Sequence, residues 1–341
     1  MKHILVIAYI SLLSICGCIQ SVIAQDLHFS QFAETPLLRN PSLAGLFTGD
    51  VRVHSVYRNQ WGSISYPFQT GTVTGAYKFA AGKGDDFFTA GLQLMFDRAG
   101  TVALTSTHFL PAFNFHKSLS SSRSTYLSIG FMGGLVSRRL DRSKVTTNNQ
   151  FDGFRYNGSL PDGETFFNNY SYLDATVGMS MSTTLGLNEE HTFYAGIAYH
   201  HLTKPSSAFY TNIQHLPKWV LSGGLKYAIG YNRFLTLHGD YYRQGSSQTL
   251  IAGAMYTIPL DDADKPVYQF HAGGMYRYKD ALIPMIRMDV QQLSIGFSYD
   301  VNISQLRTAS YGRGGVETSL SYLTFINSHK SSYDKVKCPR F

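Results

Sequence analysis

Most of the chain consists of segments in which apolar residues alternate with small or polar ones, and this alternation constrains the fold more than any other feature. In segment 292–301 the alternating apolar residues are Leu293, Ile295, Phe297, Tyr299 and Val301. Segments 125–135 and 219–229 repeat the pattern. Because successive side chains of a β-strand point to opposite faces, the period of two predicts strands with one apolar face and one small or polar face.

The spacing of these segments predicts fourteen strands. We delimit them at 51–59, 67–79, 87–98, 103–118, 123–137, 171–186, 190–201, 216–230, 233–244, 247–259, 266–278, 281–289, 291–302 and 314–326. Counted along the chain, the long connections are the first, fifth, seventh and thirteenth (60–66, 138–170, 201–215 and 303–313). Because successive connections of an up-and-down sheet alternate between its two ends, all four lie at the same end. An even strand number with short turns at one end and long loops at the other is typical of bacterial outer-membrane barrels.

Composition narrows the class of protein. Charged residues make up 15% of the 341 residues, which is too few for a coiled coil, a disordered tail or a nucleic-acid-binding arm. Only one long apolar run occurs, at the start, so a helical membrane protein is excluded. A soluble β-sandwich alternates in the same way, but the strand lengths, together with a signal-like sequence in the first 24 residues, favour a membrane barrel. We predict an all-β fold, a transmembrane antiparallel β-barrel of about 14 strands over 51–326.

The first 24 residues have the pattern of a signal peptide. Lys2 and His3 are a short basic region, 4–15 is apolar, and Ala24 ends a small-residue cleavage motif. Cys18 offers a weaker alternative, because the residues before it loosely resemble a lipoprotein box. We therefore expect cleavage after Ala24 and localisation in the cell outer membrane. Cys338 then remains as the only cysteine, so neither an internal disulfide nor a multi-cysteine metal site can form.

Residues 25–50 precede the first strand and contain several apolar residues together with Pro36 and Pro41. Prolines oppose regular structure, so this segment is expected to follow an extended or turned path. We interpret it as a plug inside the barrel or a cap at its periplasmic mouth. A contact with a partner is the alternative, and the residues expected to take either role are Phe29, Phe32, Asn40 and Pro41.

A second set of candidate residues flanks the barrel. Arg58 is expected to hydrogen-bond inside it near the rim, and Trp61 to anchor at the interface between lipid and water. Arg138 and Arg139 begin a basic region that also contains Arg142 and Lys144, for which lipopolysaccharide phosphates or an acidic secreted partner are plausible counter-charges. The tail 327–341 is basic and carries Lys337 and Arg340, which could reach a periplasmic partner.

Residue types that could support catalysis or metal binding are present but not convincingly arranged. His200 and His201 are adjacent in a predicted strand, so they are expected to face opposite ways and not to bind one metal together. His238 and Asp240 share a face, and a hydrogen-bond network inside the barrel explains them without a nucleophile. The pairs 85–86 and 261–262 are acidic but fall in predicted turns. We expect no enzyme activity, no cofactor, no metal and no nucleic-acid partner.

Four short segments carry a family resemblance: 25–32 (QDLHFSQF), 36–45 (PLLRNPSLAG), 57–61 (YRNQW) and 338–341 (CPRF). With them the chain resembles the PorP/SprF family of outer-membrane proteins of type IX secretion and gliding motility, with Leu27 and Ser42 standing where relatives often have Pro and Ala. The resemblance implies a non-enzymatic barrel that works with periplasmic ring lipoproteins and with secreted sorting-domain cargo or a surface adhesin. The alternative is a plugged barrel channel for uptake of a hydrophobic small molecule.

Overall fold

The computed structural model describes residues 26–326, apart from 63–65, 83, 121, 166, 187–188, 207–208, 210–213, 262–265 and 306. The predicted signal peptide (1–24) and basic tail (327–341) lie outside the described residues. Fourteen strands form one closed antiparallel barrel, in which each strand pairs with its neighbours in the sequence and β1 pairs with β14. The prediction of an all-β barrel is therefore confirmed. Within the described residues no helix is long and apolar enough to cross a membrane.

The strands are β1 Val51–Gln60, β2 Phe68–Ala80, β3 Phe87–Ala99, β4 Leu104–Ser120, β5 Thr125–Arg139, β6 Asn169–Leu185, β7 His191–His200, β8 Lys218–Gly230, β9 Arg233–Gln244, β10 Ser247–Pro259, β11 Tyr268–Arg277, β12 Ala281–Val290, β13 Leu293–Asn302 and β14 Arg313–Thr324. Every boundary lies within two residues of its prediction. The described residues also contain two short α-helices, α1 (Pro36–Arg39) and α2 (Arg307–Ser310), and four 3-10 turns (Phe32–Glu34, Pro41–Leu43, Arg142–Lys144 and Asn148–Gln150).

The connections divide the barrel into two ends. The four long connections follow β1, β5, β7 and β13 and lie at one end, which we call the loop end. The opposite end, where β1 begins and β14 finishes, carries connections of at most eight residues, and we call it the turn end.

The two faces of the wall differ in polarity. In β13, Ile295 and Phe297 are exposed on the outside, whereas Ser294, Ser298 and Asp300 are buried inside. The other strands follow the same rule, with large apolar side chains outward and mostly Ser, Thr, His and charged side chains inward. An apolar outer wall and a polar interior are typical of barrels that sit in lipid.

The interior is filled by residues 26–50, which we call the N-terminal segment. Phe29, Phe32 and Leu37 are almost fully buried. Each of the four apolar clusters inside the barrel combines residues of this segment with inward-facing residues of the wall. The hydrophobic core of the molecule is therefore the contact between the barrel and its own N-terminal segment.

Candidate functional site

The N-terminal segment runs the length of the lumen. Its first described residue, Asp26, contacts Lys218 at the loop end, where β8 begins. Near the middle, Arg39 contacts Asp240 of β9. At the turn end, the Asp50 N–H donates to the carbonyl of Thr324. The segment therefore enters β1 from inside the barrel, with its N-terminal end towards the long loops.

An ionic cluster holds the segment against β1, β13 and β14. The backbone N–H groups of Ser30 and Gln31 donate to the two carboxylate oxygens of Glu317, at 2.7 and 2.8 Å. Arg58 lies 3.3 Å from Glu317 and 3.0 Å from Asp300, and it also donates to the carbonyl of His28. Arg277 contacts Asp300 at 2.7 Å from the other side. All four charged groups are buried, so their mutual pairing is what makes their burial tolerable.

A second cluster surrounds Glu34 of the segment. Its carboxylate contacts Arg52 of β1 at 3.0 Å and Arg287 of β12 at 3.1 Å. The Nδ1 atom of His54 lies 3.9 Å away. Burial alone would raise the pKa of Glu34, but His54 and the two guanidinium groups outweigh it and lower the pKa from 4.5 to about 2. Glu34 is therefore ionised at neutral pH.

A third contact joins α1 to the middle of the wall. Arg39 donates to both carboxylate oxygens of Asp240, with distances of 2.5 and 2.6 Å, and to the hydroxyl of Tyr194 at 2.8 Å. The Tyr242 hydroxyl donates to Asp240 at 2.7 Å. The guanidinium also lies over the ring of Phe32, 4.9 Å from its centre. Arg39 and Asp240 thus form a bidentate, fully buried ion pair, and bidentate pairs are among the strongest arginine–carboxylate contacts.

Next to it, the turn 40–42 lies against three glycines of the wall, Gly130 of β5, Gly178 of β6 and Gly196 of β7, which we call the glycine strip. The Asn40 side chain donates to the carbonyls of Met179 and Ile197, at 3.2 and 3.1 Å. A Cβ added to Gly130 would overlap Ser42, and a Cβ added to Gly178 would overlap Asn40. These glycines therefore provide space in which the segment approaches the wall backbone directly.

At the turn end a buried lysine of the wall contacts the N-terminal segment. Lys78 of β2 is 1% exposed and donates to the carbonyl of Phe47. Its ammonium nitrogen also lies 4.2 Å from the centre of the Phe47 ring. The Ile326 N–H donates to the Asp50 side chain at 2.8 Å, so the segment is tied to the residues after β14 as well.

Above the segment, towards the loop end, lies a cavity of about 650 Å³, which we call the vestibule. Its lining mixes apolar groups, such as Leu27, Leu38 and Met132, with charged and imidazole groups. Asp26, Asp174, His201, His215 and Lys218 meet at its wall, as described next.

The centre of that group is His201. Its Nε2 lies 2.6 Å from Asp26 and its Nδ1 lies 2.7 Å from Asp174. Lys218 contacts the same oxygen of Asp26 at 2.8 Å. Burial lowers the pKa of His201, but Asp26 and Asp174 raise it to about 9 despite Lys218. The ring of His215 stacks on His201 with centroids 5.1 Å apart.

The structure places the candidate residues of the N-terminal segment together. Phe29, Phe32, Asn40 and Pro41 are all buried in the lumen. Arg58 faces the same lumen, in the first ionic cluster. Trp61 is partly exposed at the loop end, packs edge-on against Phe68 at 5.1 Å and lines the vestibule.

The basic candidates do not form one patch. Arg138 faces inward and lines the vestibule, whereas Arg139 is exposed on the other face of β5. Arg142 pairs with Asp162 at 2.8 Å, and Lys144 with Asp141 at 3.3 Å. Lys337 and Arg340 lie outside the described residues.

One sequence-based argument was wrong. His200 and His201 were expected to lie on opposite faces of one strand, but β7 ends at His200 and His201 adopts φ 59°. Both imidazoles are consequently buried inside. Sequence reasoning also missed Asp26, Asp174 and His215, because these residues lie far apart in the sequence and no local pattern links them to His201.

The other residues considered for chemistry have structural partners. His238 packs edge-on against Phe32, 6.1 Å between ring centres, and Asp240 binds Arg39. In the turns, Asp86 pairs with Lys117 at 2.7 Å and Asp261 accepts a hydrogen bond from the Val267 N–H.

A closed barrel with an apolar outer face and a polar, filled lumen defines the class: the protein is an outer-membrane β-barrel. Residues 21–322 match the family described as "Type IX secretion system membrane protein PorP/SprF". The chain therefore belongs to the PorP/SprF family, as the sequence motifs indicated.

Comparison with other proteins adds similarity of shape only. No curated protein matches the sequence. The toluene transporter TbuX of Ralstonia pickettii is similar at 10% identity, with 87% of this chain and 95% of that chain covered and a TM-score of 0.48. A TodX monoaromatic hydrocarbon channel mutant is similar at 11% identity, with 86% of this chain and 94% of that chain covered and a TM-score of 0.49. The translocator domain of the autotransporter NalP from Neisseria meningitidis is similar at 11% identity, with 86% of this chain and 97% of that chain covered and a TM-score of 0.41.

Proposed function

We propose that this protein is a non-enzymatic component of the type IX machinery that couples a secreted or surface-displayed protein to the periplasmic ring and motor. In this proposal the loop end faces the cell exterior and its cargo, and the turn end and the tail 327–341 face periplasmic partners. Membership of the family supports the machinery. The filled lumen is the observation that favours coupling over transport, because the described part of the N-terminal segment is buried along the lumen and is held there by ion pairs with the wall.

We further propose that the signal peptide is removed and that the segment after it stays in the lumen. Cleavage after Ala24 frees the chain just before Asp26, which lies inside the lumen. Residues 25–50 then act as a resident plug. The outer surface contacts outer-membrane lipid and lipopolysaccharide.

The competing function is uptake of a hydrophobic small molecule through the vestibule. An apolar ligand entering it would desolvate Asp26, Asp174, Lys218 and Arg138, which is costly unless these groups stay paired. We therefore place this function second.

A deletion strain tests the proposal. We expect loss of secretion or display of at least one sorting-domain protein, restored by the wild-type gene. Crosslinked purification from native outer membranes is expected to recover ring lipoproteins together with that cargo. Unchanged secretion of every sorting-domain protein contradicts the proposal, and unchanged secretion with defective uptake of an apolar compound supports the competing function.

A further inference from the structure

Two histidines and one aspartate converge at the wall of the vestibule. One ligand atom each of Asp26, His201 and His215 lies within 4.8 Å of the other two. Two imidazole nitrogens with a carboxylate oxygen are a donor set that zinc and related divalent transition metals prefer. None of the contacts proposed above for secretion uses this set.

The surroundings of His201 resemble the outer shell of a metal site. Its Nδ1 is hydrogen-bonded to Asp174 at 2.7 Å, while Nε2 points at Asp26. The Ala175 N–H donates to the other oxygen of Asp174 at 2.8 Å and fixes that carboxylate. A histidine that ligates a metal through one nitrogen almost always has its second nitrogen held in this way.

The two histidines lie near the two ends of the long connection between β7 and β8. His201 follows the last residue of β7, and Leu202 donates to the Ala175 carbonyl at 2.9 Å. The His215 N–H donates to the carbonyl of Pro205 at 2.9 Å, and the hydroxyl of Tyr172 lies 3.3 Å from His215 Nε2. The position of His201 is therefore set by β6 and the end of β7, and that of His215 by Tyr172 of β6 together with Pro205 of the same connection.

We propose that Asp26, His201 and His215 bind a divalent transition metal of the zinc class, with the vestibule side left for water or a further ligand. Binding replaces the proton between His201 Nε2 and Asp26, so one divalent ion enters as one proton leaves. These two atoms must separate from 2.6 Å to about 3.4 Å, the spacing of two tetrahedral zinc ligands. Asp26 belongs to the segment, so the ion joins the plug to the barrel rim.

Lys218 shares Asp26 with the ion. Its ammonium lies 2.8 Å from Oδ2, the same oxygen that faces His201. The amide of Gln244 lies 3.4 Å from Oδ1. The carboxylate therefore has two oxygens to divide between the metal and the lysine, and the second carboxylate, Asp174, offsets part of the added positive charge.

The test uses the full-length mature barrel in detergent, without a histidine tag. We expect one Zn²⁺ per chain in a competition titration, and an intense visible spectrum of four- or five-coordinate Co²⁺ bound at the same site. His215→Gln and Asp26→Asn are expected to abolish both signals. Asp174→Asn, which removes only the support of His201, is expected to weaken binding about 10- to 100-fold.

His108→Gln is the matched control, because His108 lines the same vestibule outside the three ligands. The His108→Gln variant is expected to bind Zn²⁺ and Co²⁺ as the wild type does. Heat-modifiable migration of each variant verifies that the barrel is folded. Absence of stoichiometric binding in the wild type, a six-coordinate Co²⁺ spectrum, or equal affinity in His215→Gln overturns the proposal. None of these outcomes bears on the secretion role, which the deletion strain tests separately.

Discussion

Glu34 contributes stability that depends on its charge. Its pKa is about 2 in the folded protein, against an ordinary value of 4.5 for a glutamate carboxyl. A carboxyl whose pKa is lowered by folding stabilises the fold above its unfolded pKa, and this contribution is lost as the pH falls through the folded pKa. The contribution of Glu34 is therefore complete above about pH 4.5 and disappears between there and about pH 2.

We expect Glu34→Gln to lower the heat-modification temperature at pH 7 and to make it less dependent on pH between 4.5 and 2. The measurement is gel mobility after heating across that pH range. Glu164→Gln, on an exposed loop, is the control and should behave like the wild type. An acid profile of Glu34→Gln identical to that of the wild type would contradict the assignment.

Arg39 and Asp240 provide a test in which the two residues are changed singly and together. Arg39→Met leaves Asp240 buried without its cation and is expected to cost about 3–5 kcal/mol of unfolding free energy. Adding Asp240→Leu is expected to recover most of that loss, because an apolar pair needs no desolvation of charge. Urea unfolding in lipid vesicles measures both. A double variant that is as unstable as the sum of the single variants would show that the pair is not coupled.

At the scale of secondary-structure elements, we expect the glycine strip to fix the position of the turn 40–42 against the wall. A valine side chain at position 178 would occupy the space of the Asn40 side chain, so we expect Gly178→Val to displace the turn 40–42 from the wall. The measurement is maleimide labelling of Ser42→Cys in a Cys338→Ser background. The buried cysteine is expected to be unreactive while Gly178 is intact and to become reactive once Gly178→Val is added.

Gly75→Val is the control for that experiment. A Cβ at Gly75 meets nothing within 4 Å, so this substitution should leave position 42 protected. Equal labelling in the Gly75→Val and Gly178→Val variants would mean that the glycine strip does not hold the segment.

The strands were predictable because each carries its own signal. In β13 and β5 the alternation of large apolar and small residues identifies the outward face without knowledge of any neighbour. The contacts of the lumen were not predictable in this way. An inward Asp240 looks the same in sequence whether it faces water or an arginine, and only the path of residues 26–50 brings Arg39 to it.

At the scale of the whole molecule, we expect the segment to determine whether the barrel conducts ions. We expect the intact protein to be silent in planar bilayers and a variant lacking residues 26–49 to form steady pores, because removal of the segment opens a polar lumen to water. Deletion of 152–155 in the exposed loop between β5 and β6 is the control and should remain silent. Conductance by the intact protein, or none from a folded deletion variant, would contradict a resident plug.

The seam between β1 and β14 has a consequence for biogenesis. Ten residue pairs, from Val51 with Thr324 to Gln60 with Gly315, close the wall directly after the segment has turned into β1. Because the segment leads directly into β1, which is one side of this seam, we expect β14 to close the wall around a segment that is already inside. On this expectation the lumen is filled when the barrel is assembled, and the segment does not have to enter a finished barrel.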